Sequence, residues 1–367
     1  MTFLLLFLYG CLVGIQPPPP IIGDAVKSLS IAKGIAAENT ELKIRSYVLL
    51  LSTSSQQEFE FWWPKLIAEP DSEVQLEVFS KIIPLHPDTV FVMSFYANPK
   101  LTKAQKCQVL LLGQRHGVSL DVFPTSPPET LNDRLYCSLL QQIRNPQQQH
   151  AIGSLIENET LPLDLSFYRE LYFSQLVNLS PSLQSAHQMA EEYYRVPLAC
   201  VWMLFDEGNR QKVLQELLAA PEIERMEAVD FLWNIQSPFA VKALKKIAGT
   251  KDEAGRLAKL ALLSQGKGSA SFGIQILQDT DETNELRIAS AKALGQFLTA
   301  KESAAAEKAL INMFADEQIE VALESIRAAG VAKSRRAWRE LRRIDTDAVR
   351  IQIEIDGSLR AISATKR

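Results

Sequence analysis

The sequence predicts an all-α protein, an α-solenoid in which antiparallel helix pairs stack into a superhelix. The first observation is a repeat along the whole chain, because similar apolar runs begin at nearly constant spacing. A period of about 20 to 50 residues is typical of units that bury their apolar faces only against their neighbours. The second observation is that apolar residues recur three and four positions apart, as on one face of a helix, while strand-like alternation is rare. The positions that mark successive units are Arg45, Gln75, Gln105, Leu135, Leu165, Arg195, Arg225, Arg256, Arg287, Glu320 and Arg350.

Composition agrees with one continuous body of this kind. Hydrophobic residues make up 47% of the chain and charged residues 22%, which supports an extensive core and excludes global disorder. The formal net charge of -4 gives no reason to expect nucleic-acid binding along the whole chain. Charge is unevenly spread, however. Residues 333–367 contain ten Lys or Arg and five Asp or Glu, a net charge of +5, so the remaining residues carry -9.

The first element of the chain is an apolar run within residues 1–16. At about 13 residues it is too short to cross a bilayer, which needs roughly 20, and its length is typical of the core of a signal peptide. Residues 17–23 follow as a proline-rich linker that begins with Pro17 to Pro20. A proline run favours a stiff polyproline II strut, which would hold the solenoid off a membrane, although a plain loop is the alternative.

Cys11 is the candidate lipidation site. The residues Leu8 to Cys11 resemble the lipobox of bacterial lipoproteins, whose cysteine becomes the lipid-bearing first residue of the mature chain. The resemblance implies an exported protein, periplasmic or anchored to a membrane through an N-terminal lipid. Simple secretion and an ordinary buried N-terminus, or a misassigned start, are the alternatives.

One repeating unit can be followed in detail between residues 237 and 266. Ser237 and Pro238 open a first helix that ends at Gly249. Asp252 then caps a second helix that ends at Gly266. Both helices carry apolar residues at helical spacing, so each unit is a pair of antiparallel helices. Small residues on the second helices predict close packing between neighbours, and Gly295 and Gly330 are predicted to end helices at positive φ.

The paired helices resemble the HEAT-repeat family in its short form of about 30 residues. The runs that match are residues 286–295 and 319–330, and the resemblance covers residues 191–367. Residues 24–160 form a degenerate match, because Gln75, Gln105 and Leu135 interrupt the arginine series. Residues 161–190, which contain Pro162 and Pro181, are predicted to be an irregular helical junction.

In the HEAT family, an acid at the turn and an arginine early in the second helix form a ladder between units. The resemblance implies that Asp252 with Arg256, Asp281 or Glu285 with Arg287, and Asp347 with Arg350 supply this ladder here. These arginines are therefore interpreted as scaffold rather than as functional groups.

Cys107 and Cys137 occupy equivalent positions in adjacent units, 30 residues apart. Packed helices lie about 8 to 10 Å apart, farther than the Cα separation of about 4.4 to 6.8 Å that a disulfide tolerates. This comparison predicts two buried thiols rather than a disulfide. Cys200 lies in an apolar run and is predicted to belong to the core.

The search for chemistry gives no site. The four histidines are 30 or more residues apart and share no metal-ligand spacing, and no phosphate loop or nucleophile elbow occurs. We therefore expect no enzyme, no cofactor and no metal. Trp62 and Trp63 lie in an aromatic cluster that core packing explains. Adjacent residues cannot both face inward on a helix, however, so at least one tryptophan is a candidate for partner binding.

A basic stripe near the C-terminus is the second candidate for partner binding. Arginines three or four residues apart share one helix face and can hold an acidic protein or anionic headgroups. The alternative is a solvated face on a terminal unit, which needs a polar exterior. The residues of the stripe are Arg335, Arg336, Arg339, Arg342 and Arg343.

These observations favour a non-catalytic protein-binding scaffold of the bacterial cell envelope, which presents a helical-repeat surface to an unidentified protein partner. A nucleic-acid-binding HEAT-like protein is one alternative, but the -9 charge of the first 332 residues argues against it. A HEAT-like lyase with an unrecognised site is another. The resemblance on which it rests concerns the repeat alone.

Overall fold

The computed structural model describes residues 34–124, 128–145, 150–158, 165–176, 179–189, 192–346 and 348–364. This part of the chain forms twenty α-helices and contains no β-strand, which confirms the all-α prediction. The helices are α1 (Thr40–Thr53), α2 (Gln56–Ala68), α3 (Ser72–Ile82), α4 (Thr89–Tyr96), α5 (Lys103–Arg115), α6 (Leu131–Arg144), α7 (His150–Asn158), α8 (Leu165–Phe173), α9 (Ser180–Met189), α10 (Glu192–Phe205), α11 (Arg210–Ala219), α12 (Glu222–Leu232), α13 (Pro238–Ile247), α14 (Glu253–Ser264), α15 (Ala270–Gln278), α16 (Asn284–Ala300), α17 (Ala304–Asn312), α18 (Ile319–Val331), α19 (Arg335–Leu341) and α20 (Val349–Ala364).

Helix boundaries follow the capping residues of the sequence. Ser237 caps α13 with Pro238 at its first position, and the Asp252 side chain caps α14 by accepting from the Gly255 N–H at 3.0 Å. Ser55 and Thr102 form capping boxes at the starts of α2 and α5. The predicted unit of two antiparallel helices is therefore present.

The helices form two layers. Second helices of the units stack on one another, and we call this set the stacked layer: α1, α3, α5, α8, α10, α12, α14, α16, α18 and α20. First helices such as α13, α15, α17 and α19 flank it. Between α5 and α10 the pattern is less regular, because α6, α7 and α9 form a second line of contacts beside α8. The architecture is an α-solenoid, as predicted.

The stacked layer closes on itself. Helix α20 packs against α18 on one side and against α1 on the other, so the last unit continues into the first. At this seam, a Cβ atom added to Gly357 would lie only 2.5 Å from the δ carbons of Leu49. The described part of the solenoid is therefore a ring rather than an open arc.

Two glycines predicted to end helices lie instead within helices. Gly295 is inside α16 and Gly330 is inside α18, and neither has positive φ. A Cβ on Gly295 would lie 2.7 Å from the Cβ of Ala328 on α18. The glycine is required because the backbones of α16 and α18 approach closely. Gly266, by contrast, has φ of +70° at the end of α14, as a helix-ending glycine should.

The arginine ladder exists between units, but its partners differ from those expected. Arg225 pairs with Asp252, Arg256 with Glu282 and Arg287 with Asp316. Each arginine thus reaches the acid at the turn of the following unit rather than an acid beside its own helix. Arg350 pairs with Glu320 at 2.8 Å, while its expected partner Asp347 lies outside the described residues.

Cys107 and Cys137 form a disulfide, so the prediction of two free thiols was wrong. Their Cα atoms are 5.5 Å apart, within the range that a disulfide requires. The error came from an average axis spacing for packed helices, since α5 and α6 approach more closely at these two small residues. Cys200 is a buried free thiol, and burial strongly raises its pKa.

Candidate partner-binding surfaces

The N-terminal predictions fall outside the described residues. Residues 1–33 include the predicted signal segment, Cys11 and the proline-rich linker, so lipidation and export stay predictions. Within the residues that are described, no helix has both the length and the apolarity needed to cross a membrane.

The basic stripe lies on α19 and the two residues that follow it, and its side chains are exposed. Arg335 and Arg339 are one turn apart on this short helix, and Arg342 is its C-cap. Arg342 lies over the Trp338 ring at 4.7 Å, and Arg343 pairs with Glu340 at 3.0 Å. Arg335, Arg336 and Arg339 form no ion pair with any other residue that the structure describes.

Because the ring is closed, the basic stripe does not belong to a terminal unit. The alternative interpretation was that α19 belongs to a terminal unit, whose exterior must be polar because nothing covers it. Helix α20 of the same unit is covered by α1, so the unit does not end the stack. The arginines instead lie on the flanking layer, and Ala337 and Leu341 anchor their helix in the core.

The two tryptophans of α2 are both part of the core, to different degrees. Trp62 is buried, and the Lys65 ammonium lies 4.5 Å from its ring. Trp63 is half-buried and meets Phe91 edge to face at 5.8 Å. Core packing therefore accounts for most of this cluster, and of the two tryptophans Trp63 is the one with surface that a partner could contact.

The sequence did not reveal a cavity of about 1100 Å³ on the stacked layer. Helices α1, α3, α5, α6 and α8 surround it. The apolar side chains that line it are Ile44, Leu76, Ala104, Leu112 and Tyr136. The polar and charged side chains that line it are Thr40, Glu73, Glu77, Ser80, Lys81, Thr102, Lys103, Gln105, Gln108, Arg115, Glu129, Thr130, Asn132, Asp133, Arg169 and Glu170.

Several of the charged groups in the cavity hold the helices together. Asp133 accepts from the Ala104 N–H at 2.7 Å and so joins the starts of α5 and α6. Burial alone would raise its pKa, but hydrogen bonds from backbone N–H groups lower it below the usual range. Arg115 pairs with Glu170 at 3.0 Å and stacks over Phe173, which joins α5 to α8.

Other groups in the cavity have no such structural partner. The side chains of Glu73, Lys103 and Gln108 form no hydrogen bond or ion pair with another described residue. They project beside the apolar side chains of Leu76 and Leu112. The cavity thus offers an acid, a base and an amide above an apolar surface, the combination that an extended polypeptide can match with its own side chains and backbone.

The sequence contained a weak signal for this cavity. Glu73, Glu77 and Lys81 repeat at intervals of four on the face of α3 opposite its buried residues. A polar face is the ordinary exterior of an amphipathic helix, so the pattern alone does not indicate a site. Only the ring geometry shows that this face lines a cavity.

A second cavity of about 500 Å³ lies beside α9, α10 and α11. Its wall includes His187, Trp202 and Glu216, and the rings of His187 and Trp202 are 5.6 Å apart. Burial lowers the pKa of His187. The buried Trp202 Nε1–H donates to no described residue. In the part of the chain that is described, no three His, Cys, Asp or Glu side chains gather as metal ligands would.

The fold and these surfaces define an all-helical repeat protein. No protein-family model matches the chain, and no curated protein matches it at a significant level. Among solved structures, human deoxyhypusine hydroxylase in complex with glycerol aligns with a TM-score of 0.31 and 13% identity, over 85% of this chain and 99% of that one. An engineered protein aligns with a TM-score of 0.27 and 13% identity, over 93% and 99%.

The expectation that this chain is not an enzyme is corrected by these comparisons. A hydroxylase is among the structures with which the chain aligns. At a TM-score of 0.31, the likeness transfers neither an activity nor a residue role to this chain.

Proposed function

We propose that this protein binds an extended segment of a protein partner in the bacterial cell envelope. The proposal rests on the large cavity on the stacked layer. There Glu73, Lys103 and Gln108, whose side chains pair with no other residue that the structure describes, lie beside apolar side chains. Helical-repeat proteins present surfaces of this kind to partners. Lining groups of both signs fit a polypeptide better than a nucleic acid, which requires a predominantly basic surface.

The Cys107–Cys137 disulfide supports the proposed location. Disulfides persist in oxidising compartments such as the periplasm and are rare in the cytosol. Together with the resemblance of residues 1–16 to a signal peptide, it favours export, with Cys11 as the proposed lipid attachment site. A HEAT-like repeat held at the membrane in this way would meet its partner in the envelope.

Photo-crosslinking in the native cells tests the partner. A photoreactive phenylalanine at Gln108, in the cavity, should give a discrete adduct, and Lys103→Glu should abolish it. The matched control is the same residue at Gln57, which is exposed on the flanking helix α2. If both positions give the same background of adducts, the cavity is not a binding site.

A second experiment tests the compartment. Thiols are trapped in intact cells by a membrane-permeant alkylating reagent, and Cys107 and Cys137 should be protected because they are oxidised. Rapid alkylation of both cysteines in the denatured protein, without prior reduction, would contradict an oxidising location.

A further inference from the structure

Charged side chains cross the seam between α1 and α20. The Arg45 guanidinium donates to both oxygens of the Glu354 carboxylate, with Nε–Oε1 at 2.5 Å and Nη2–Oε2 at 2.6 Å. Glu354 is also the acceptor for Arg327 at 2.7 Å, and Arg327 in turn pairs with Glu324 at 2.6 Å on its own helix α18. These four residues are the seam cluster, and only Arg45 comes from the α1 side.

A second set of polar contacts crosses the same seam. Arg360 of α20 lies 3.4 Å from Glu58 of α2, and these side chains are 4% and 10% exposed. Its Nε also donates to the Thr53 hydroxyl at 3.1 Å. Buried ion pairs have a high desolvation cost, so they contribute little net stability compared with an apolar contact of the same size.

The apolar core is interrupted at the seam. Buried apolar side chains of the described residues form three clusters, and none of the three draws residues from both sides. Tyr47 and Leu50 of α1 belong to the N-terminal cluster, whereas Ile355 and Leu359 of α20 belong to the C-terminal one. Apolar contacts also cross the seam, since Leu49 lies against Gly357 and Ile353 lies against Gly34.

The seam also lacks the short connections that hold other neighbours together. Arg45 and Glu354 are 309 positions apart in the chain, whereas neighbouring units elsewhere follow one another through short turns. Parting α1 from α20 hydrates the charged groups and exposes Leu49 and Ile353. Parting α14 from α16, by contrast, divides a single apolar cluster to which both helices contribute several side chains.

We propose that the ring opens and recloses at the α1–α20 seam, and that this movement gates the large cavity. Helix α1 supplies Thr40 and Ile44 to the cavity wall, so its displacement opens the cavity at one side. A partner segment then enters laterally, without threading an end. The gating role rests on the proposed partner binding, whereas the opening itself does not.

Small-angle X-ray scattering tests the opening with a matched pair of variants. Glu354→Gln leaves Arg45 and Arg327 facing each other and should increase the maximum dimension while helicity by circular dichroism is kept. Asp316→Asn removes an acid of similar burial, paired with Arg287, within the continuous stack, and should leave the dimensions unchanged. Equal dimensions for wild type and Glu354→Gln would overturn the proposal, as would equal expansion of both variants.

A disulfide across the seam provides a readout that does not depend on a destabilised variant. In the Leu49→Cys/Gly357→Cys protein, the close approach of the two positions should allow a bond to form on oxidation. Amide hydrogen exchange in α1 should then slow by about tenfold relative to wild type, with α14 unaffected. Unchanged exchange in α1 would show that the ring does not open.

The oxidised Leu49→Cys/Gly357→Cys protein, called the locked protein, also separates the proposal of seam opening from the proposal of partner binding. If crosslinking from Gln108 occurs in wild type and is lost in the locked protein, the seam is the gate. If no crosslink forms in wild type but α1 exchange still slows on locking, the seam opens and the partner proposal fails alone. If wild type and locked protein crosslink equally, the gating role is wrong.

Discussion

Arg287 shows how a single buried residue joins successive units. Its side chain is 3% exposed, and it pairs with Asp316 of the next unit while its Nε donates to the Leu277 carbonyl at 3.2 Å. A buried guanidinium is tolerated because its donors are satisfied in a fixed planar arrangement. The ladder residues are therefore positioning groups of the scaffold, as the repeat of arginines suggested.

Asp252 allows a prediction at the residue scale. Burial alone would raise its pKa, but hydrogen bonds from the Thr250 hydroxyl and the Gly255 N–H, with the Arg225 guanidinium, lower it to about 2. Its ordinary value is near 4, so the charged form stabilises the fold above about pH 4 and this contribution is lost as pH falls toward 2.

Asp252→Asn should therefore lower the unfolding free energy by about 1 kcal/mol at pH 7, a figure reduced for solvent contact. Asparagine still caps α14, so only the charge is removed. Melting temperatures of both proteins, measured from pH 7 to pH 2, should converge below about pH 4. A difference that stays constant over that range would show that the cap, not the charge, matters.

The residues also show what sequence can and cannot predict. Helical spacing predicts that Leu260 and Leu294 lie in the core, and both are completely buried. The Cys107–Cys137 bond was missed because an average helix spacing says nothing about the local approach of two small side chains. The cavity was missed because Glu73 and Lys103 look like ordinary surface residues until the three-dimensional arrangement gathers them.

Helix α16 illustrates packing at the scale of an element. A Cβ on Gly295 would press against the backbone and side chain of Ala328, with contacts of 2.7 to 2.9 Å. We expect Gly295→Ala to destabilise the protein by about 1 to 3 kcal/mol as an overpacking change, although alanine is the better helix former.

The control for this variant is Gly208→Ala. Its added Cβ would meet only Asp206 Oδ1 at 3.4 Å, an ordinary contact, and Gly208 does not have positive φ. Denaturant unfolding should show a lower midpoint for Gly295→Ala and almost none of that loss for Gly208→Ala. Equal effects would mean that α16 and α18 are farther apart than described.

The arginines of the basic stripe on and just after α19 are expected to bind an acidic partner. Reversing Arg335, Arg339 and Arg342 to Glu should abolish retention of an acidic envelope partner in a pull-down, and retention by wild type should weaken as salt rises. Helicity and melting temperature should change little, because all three side chains are exposed.

The matched control is the equivalent reversal of Lys242, Lys245 and Lys246, which are exposed on α13 and change the net charge equally. This lysine variant should retain the partner as well as wild type does. Loss of the partner in both triple variants would assign the effect to overall charge, and retention in both would limit the α19 arginines to solubility.

At the scale of the whole molecule, the ring fixes the number of units. An open solenoid can lose an internal unit, because each unit contacts only its neighbours. The two units that flanked the deleted one then pack against each other. A ring that loses one unit must strain every interface or fail to close. The sequence contains no pattern that predicts ring closure, because Arg45 and Glu354 are 309 positions apart and neither is unusual by itself.

Deleting residues 256–286, which joins Gly255 to Arg287 in register, tests this constraint. We expect helical content per residue to persist, while α1 and α20 no longer meet and the radius of gyration exceeds that of wild type despite the shorter chain. A deletion protein that is smaller and whose α1 amides exchange as slowly as in wild type would show that the stack was never closed.

The charged groups of α1 at the seam also matter while the chain is being synthesised. At a synthesis rate of about 5 to 20 residues per second, α1 exists for roughly 15 to 60 s before its partner α20 has been made. An apolar edge that is exposed to water for this time would associate with other nascent chains. Arg45, Thr53 and Glu58 present charges and a hydroxyl to water on this edge instead, and we expect these groups to limit such association until the last helix has been made.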